Sequence, residues 1–123
     1  MAMRGYHLVA DGRGVSCPPG AIERFLRRAV DITGLTIIAG PFVEEDWGSG
    51  IVIIAESHIS VHVRGARALV DCFSCAPFPS GKVVDAARDI FGGAWIAKCF
   101  ERSQGESALR SGTSCGPGKG GDG

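Results

Sequence analysis

The sequence pattern changes abruptly at Glu56-Ser57. Before it runs Ile51-Val52-Ile53-Ile54-Ala55, an unbroken apolar stretch; after it His58-Ile59-Ser60-Val61-His62-Val63 alternates strictly. The unbroken run reads as a strand covered on both faces or lying at a sheet's centre, and the alternation as a half-buried strand. Ile59, Val61 and Val63 face one way while His58, Ser60 and His62 face the other. A tight strand-to-strand corner is therefore expected at Glu56-Ser57, and the rest of the chain must build a sheet around it.

The flanking segments supply that sheet. Tyr6 to Ala10 is a first strand, followed by a Gly-rich turn, Asp11-Gly12-Arg13-Gly14. Pro18-Pro19 opens a helix that runs to about Thr33 and ends at Gly34. Its apolar stripe is Ile22, Phe25, Leu26, Ala29 and Val30. Leu35 to Val43 is a strand, and residues 44–50 form a loop. Residues 64–67 make a tight turn into a further strand, Ala68 to Ser74. A second helix spans about Ser80 to Phe91, with Val83, Val84, Ala87, Ile90 and Phe91 inward, and Ala94 to Phe100 is the last strand. The order β-α-β-β-β-β-α-β, with short connections, predicts an α+β two-layer sandwich: a mainly antiparallel sheet with two helices on one face. The other face then needs a cover, which predicts a homodimer packed sheet to sheet or edge to edge.

At 123 residues the chain has room for one domain, expected over 1–102. From 103 to 123 Gly and Ser dominate and apolar periodicity stops, so that segment is expected to be a disordered tail. Its GPGKGG run fails the phosphate-loop pattern at Thr113 and Gly120. Thirteen basic residues balance 13 acidic ones, so the electrostatic footprint of a nucleic-acid binder is missing, although Arg24, Arg27 and Arg28 cluster locally. No apolar run is long enough to span a membrane, and no signal-peptide core precedes the first strand, so the expected compartment is the cytoplasm. Five cysteines, an odd number at modest density, read as reduced thiols.

Chemistry-bearing residues concentrate in 48–75. Cys72 and Cys75 have metal-ligand spacing, but on a strand they point to opposite faces, so no metal site is expected. The same pair lacks the helix N-terminus that a thioredoxin-like redox couple needs. A nucleophilic Ser57 or Cys75 with a neighbouring histidine as base is the third reading. For each residue alone, a packing cysteine or a satisfied or solvent-facing histidine is the stronger account.

The motifs become specific when taken together. Ala55-Glu56-Ser57-His58, followed by His62, closely resembles the processing site of the small prokaryotic S-adenosylmethionine decarboxylases. Gly48-Ser49-Gly50 before it, the pattern of Gly5, His7, Leu8, Asp11 and Gly14, and Asp71, Phe73, Ser74 and Cys75 later also match, in order, over about residues 5–100. The resemblance implies a proenzyme that cuts itself between Glu56 and Ser57, giving a β chain of 1–56 and an α chain of 57–123. The Ser57 hydroxyl attacks the Glu56 carbonyl to form an ester, β-elimination leaves dehydroalanine, and hydrolysis with loss of ammonia gives a covalent pyruvoyl group. The family's roles carry over as His62 for proton transfer in processing, Ser49 as its support, and Cys75 as proton donor in decarboxylation. Turnover proceeds through a Schiff base between the pyruvoyl carbonyl and an amino-acid-type substrate, in polyamine synthesis. His7 and Asp11 are assigned structure before catalysis.

One segment departs from the pattern. The family continues after the second histidine with Trp-Pro-Glu, whereas His62 is followed by Val63-Arg64-Gly65-Ala66-Arg67. The missing glutamate is the family's ribose-binding residue, and a lost charged hydrogen-bond pair costs a few kcal/mol. Phe42 and Trp47 are the rings available to stack on an adenine. Glu44, Glu45 and Asp46 are the carboxylates available to a guanidinium or amine. S-adenosylmethionine is the expected substrate, with arginine or ornithine as alternatives. An unprocessed, non-catalytic binding homologue is the alternative of another class.

Overall fold

The computed structural model describes residues 4–103 and 109–112. Its elements are β1 (Arg4–Arg13), α1 (Ala21–Thr33), β2 (Ile37–Glu44), a short 3-10 turn (Glu45–Trp47), β3 (Ser49–Ile54), β4 (Ser57–Arg64), β5 (Arg67–Ser74), α2 (Ser80–Phe91), β6 (Ala94–Ser103) and β7 (Leu109–Gly112). The strands form one antiparallel sheet in the order β2-β3-β4-β5-β1-β6-β7. This is the expected α+β sandwich with one strand more. β7 falls inside the segment expected to be a disordered tail; the rest of that tail, from 104, lies outside the described residues.

The apolar stripe of α1 is buried at every expected position, and α2 buries Val83, Val84, Ala87 and Phe91, with Ile90 partly covered. Phe25 and Phe91 join the helices, ring centroids 5.6 Å apart. Beneath them lie Leu8, Ala10, Val52, Ile54, Ile59, Val61, Val70 and Cys72 from the sheet. Gly50 lets α1 sit close, because a Cβ there would stand 2.5 Å from a methyl of Ile22.

Three local expectations change. Asp11-Gly12-Arg13 continues β1 rather than turning; Gly12 is needed because the Trp95 ring occupies the place of its Cβ, at 2.6 Å. The helix begins at Ala21, since Gly20 holds a left-handed conformation, φ 83°, after Pro18-Pro19. The apolar run of β3 is covered on one face only. Val52 and Ile54 are inside, while Ile51 and Ile53 are 38% and 41% exposed on the helix-free face. Leu69 and Ile96 are exposed on that same open face. Among the described residues no helix is long and apolar enough to cross a membrane.

Candidate active site

β3 and β4 pair from Ser49↔His62 at one end to Ile54↔Ser57 at the other, so their hairpin carries most of the candidate residues. The turn at its closed end is Ala55-Glu56, pinned by the Ala55 amide donating to the Thr36 carbonyl at 2.9 Å. Glu56 has φ 60°, the one positive value at a non-glycine among the described residues. A side chain with a Cβ pays about 1 kcal/mol for that conformation, which glycine adopts freely. The peptide between Glu56 and Ser57 therefore carries backbone strain.

Ser57 starts β4 on the inner face and is 8% exposed. Its Oγ is the one buried side-chain N or O without a hydrogen-bond partner among the described residues. Ser74 lies directly across from it on β5, yet the Ser74 hydroxyl is committed elsewhere. It donates to the Ala76 carbonyl at 2.7 Å and accepts from the Ala76 amide at 3.1 Å. That local ring turns the chain just beyond β5 and leaves Cys75 half-buried, one residue past the cross-strand partner of Ser57. Ser57 and Cys75 thus share one end of the sheet.

Cys72 is different in kind. Burial, with Asp71 adding to it, pushes its thiol up to about 12, so it stays protonated and unreactive. Burial also raises the Cys17 thiol, reinforced by Glu45 and opposed by Arg24. Cys17, Cys72 and Cys75 are free thiols, but Cys99 is disulfide-bonded. The reading of every cysteine as reduced fails there, because composition does not tell which thiols the fold brings together.

The opposite end of the hairpin holds the second cluster. His62 Nδ1 and Ser49 Oγ are 3.0 Å apart, and Ser49 Oγ is 3.3 Å from the Trp47 carbonyl. When the hydroxyl gives its proton to that carbonyl, its oxygen accepts from Nδ1–H and Nε2 is left free to take a proton. His62 also borders a groove of about 610 Å³ with Phe42, Glu44, Ser49, Ile51 and Ser60. Glu45 and Trp47 face another hollow, of about 520 Å³, and the Glu45 carboxylate accepts from the Gly20 amide at 3.3 Å at the start of α1. The four expected substrate-binding residues are thus split, Phe42 and Glu44 beside His62, Glu45 and Trp47 away from it.

His62 and Ser57 are not neighbours. Five residues of strand separate them by about 17 Å, and they point to opposite faces of β4. A group that sequence reasoning missed lies between, on the open face. His58 stacks on Phe73 with centroids 5.9 Å apart, His7 meets the same ring edge-on at 6.3 Å, and His7 Nε2 is 3.2 Å from Asp71 Oδ1. The alternation of β5 could have revealed it, since Asp71 and Phe73 must share the face of His58. Among the described residues no group of three or more His, Cys, Asp or Glu is placed to hold a metal ion.

A family model described as S-adenosylmethionine decarboxylase matches residues 6–102, from β1 through nearly all of β6. The chain belongs to the S-adenosylmethionine decarboxylase family. It is also 35% identical over 81 residues to the S-adenosylmethionine decarboxylase proenzyme of Hydrogenobaculum sp. (strain Y04AAS1), a match covering 58% of this chain and 59% of that relative. The chain therefore spans under two thirds of that S-adenosylmethionine decarboxylase proenzyme.

Proposed function

We propose that this chain is a self-cleaving, pyruvoyl-dependent decarboxylase that acts on S-adenosylmethionine in polyamine synthesis. The observation that carries the reading is the Glu56–Ser57 junction: a carbonyl on a residue at φ 60°, followed by a buried hydroxyl with no hydrogen bond. An Oγ free of partners can rotate toward the preceding carbonyl carbon without breaking a contact, and strain released at Glu56 favours the ester over the peptide. Cleavage there gives fragments 1–56 and 57–123, the second beginning with the pyruvoyl group made from Ser57.

The junction fits such a group, because Ser57 is shielded from water, 8% exposed at the end of the sheet. A pyruvoyl group supplies an electrophilic carbonyl that takes up the electrons released as carbon dioxide leaves. The chain's own residues do the rest. Cys75, half-buried at the same end, holds a proton at Sγ for delivery to the substrate carbon. His62, oriented by Ser49, takes up or returns a proton at Nε2. The 17 Å gap along one β4 is closed in this reading by homodimerisation, with His62 and Ser49 of one copy serving Ser57 of the other. The exposed Ile51, Ile53, Leu69 and Ile96 on the open face support such an association. The domain then comprises 1–102, processed into two chains and working in the cytoplasm.

One observation favours a second substrate class. The β4–β5 connection is only Gly65-Ala66, and the groove beside His62 offers Glu44 and Phe42 with no lysine or arginine in its lining. A carboxylate beside an aromatic ring suits the cationic side chain of arginine or ornithine.

Intact mass of the denatured, freshly purified chain tests the reading. Two fragments split at Glu56/Ser57, the second lighter by ammonia than a serine-started chain, are expected. A persistently uncut chain would replace it with a non-catalytic binding homologue. Decarboxylation of S-adenosylmethionine, arginine and ornithine by the cut protein then separates the substrates.

A further inference from the structure

Where the sheet ends away from Glu56, three arginines stand side by side. Arg64 is the register partner of Arg67 across β4–β5, and Arg67 is the register partner of Arg13 across β5–β1. Alternation puts all three on the open face: Arg64 follows His62 by two residues, Arg67 precedes Leu69 by two, and Arg13 follows Asp11 by two. The row is about 10 Å long, two strand spacings, and all three side chains are exposed.

Like charges directly opposite on neighbouring strands repel. Arg4, Arg27, Arg28 and Arg88 are each held in an ion pair, whereas among the described residues Arg13, Arg64 and Arg67, like Arg24 and Arg102, are in none. Asp11 shares a hollow of about 290 Å³ with Arg13 and Arg67 but bridges to neither, leaving two guanidinium groups against one carboxylate. On the open face the hollow is lined by Asp11, Arg13, Arg67, Leu69, Ala94 and Ile96. Arg64 borders the next hollow, with Glu45 and Asp46, again without an ion pair. The fold thus sets three guanidinium groups in register with carboxylates nearby but with no direct ion pair to any of the three among the described residues.

We propose that this row is a binding site for a small phosphate-class oxyanion, a phosphate or diphosphate group. The guanidinium fork pairs with two oxygens of such a group at once, and heads on stems of this length can converge on one tetrahedral anion or spread over two linked ones. The row is too short to follow a nucleic-acid backbone, and the chain carries no net charge to support one. The row lies at the end of the sheet away from Ser57, and its test reads anion binding rather than cleavage.

The test is thermal unfolding of the full chain in inorganic phosphate or pyrophosphate against chloride at equal ionic strength. Both oxyanions raise Tm, pyrophosphate more than phosphate. Arg67→Ala removes most of that rise, yet in chloride melts no lower than the unsubstituted chain because the central repulsion is gone. General salting-out by phosphate acts equally on both proteins, so the difference between them isolates the site. Arg13→Gln repeats the test from the other side of the hollow, should Arg67→Ala fold poorly. A folded variant of either kind that keeps the full phosphate rise overturns the proposal. So does a chain without any rise whose self-association weakens in Arg67→Ala, which would give the row to a second copy's carboxylates.

Discussion

The two ends of the β3–β4 hairpin are built on opposite principles. At Glu56-Ser57 the backbone is strained, the side chain is inside and the hydroxyl is unpartnered. At Ser49-His62 the backbone is regular strand, the imidazole is exposed and both side chains are hydrogen-bonded in sequence to the Trp47 carbonyl. One end carries torsional strain at Glu56 beside a buried, unpartnered hydroxyl. The other holds an imidazole oriented by a serine beside an open groove. The contrast teaches that a site can be complete in its list of residues and still be divided in space within one chain.

The largest effect should come from exchanging the ends between copies. Ser57→Ala leaves the chain uncut, since no other hydroxyl starts β4, and His62→Asn slows cleavage strongly. Co-refolding the two variants should restore cut fragments from the His62→Asn copies alone, read by mass. Cleavage within isolated monomers would break the comparison by showing that one chain's His62 suffices. Next, Cys75→Ala should cut normally yet lose about a hundredfold in decarboxylation, because a positioned proton donor contributes on that order. Equal loss in both steps would show that Cys75, which shares its end of the sheet with Ser57, acts in cleavage as well.

A smaller effect tests the strain itself. Glu56→Gly on a Ser57→Ala background should gain up to about 1 kcal/mol in chemical unfolding. With Ser57 intact, the same change should slow cleavage up to about fivefold. The smallest effect belongs to neither end. Cys72, raised to about 12 from an ordinary 9.0, contributes stability that is fully present below pH 9 and is lost as pH climbs toward 12. Unfolding midpoints of Cys72→Val should fall less steeply across that window than those of the unsubstituted chain.

How much of this could be read beforehand differs by element. The alternation of β4 and the bounds of α2 were legible because each depends on local periodicity, 2 or 3.6 residues, and on breakers beside it. Ser57 and Cys75 stood out as candidate nucleophiles from residue type alone, and the particular roles given to Ser49, Glu56, Ser57, His62 and Cys75 came from motif resemblance; neither showed that Ser57 and His62 face apart at about 17 Å. The faces themselves followed from parity, so the separation was available and went unread. Phe42 and Trp47 could not be placed by counting, because the register of β2 on β3 shifts between Ile37 and Ala39 and again before Phe42. β3 misled for a tertiary reason. An apolar run signals burial, but here its second face is open among the described residues. Gly12 misled for a packing reason, being read as a turn where a tryptophan ring needed room.

The strand order has a consequence for what a cut at residue 56 does to folding. Fragment 1–56 would own β1, β2 and β3, and the other fragment β4 to β7. In space, however, β1 is threaded between β5 and β6, bonded along its length to both, while β3 stays bonded to β4. The pieces are interleaved like the fingers of two hands, and a break in the chain after residue 56 removes none of those ladders. Once unfolded, however, they drift apart, and re-forming the sheet becomes a meeting of two molecules. A reaction that was unimolecular on the first folding turns second-order on every later one. Maturation of this kind would run one way: cut protein holds its shape, but its recovery after denaturation depends on concentration in a way that the precursor's does not.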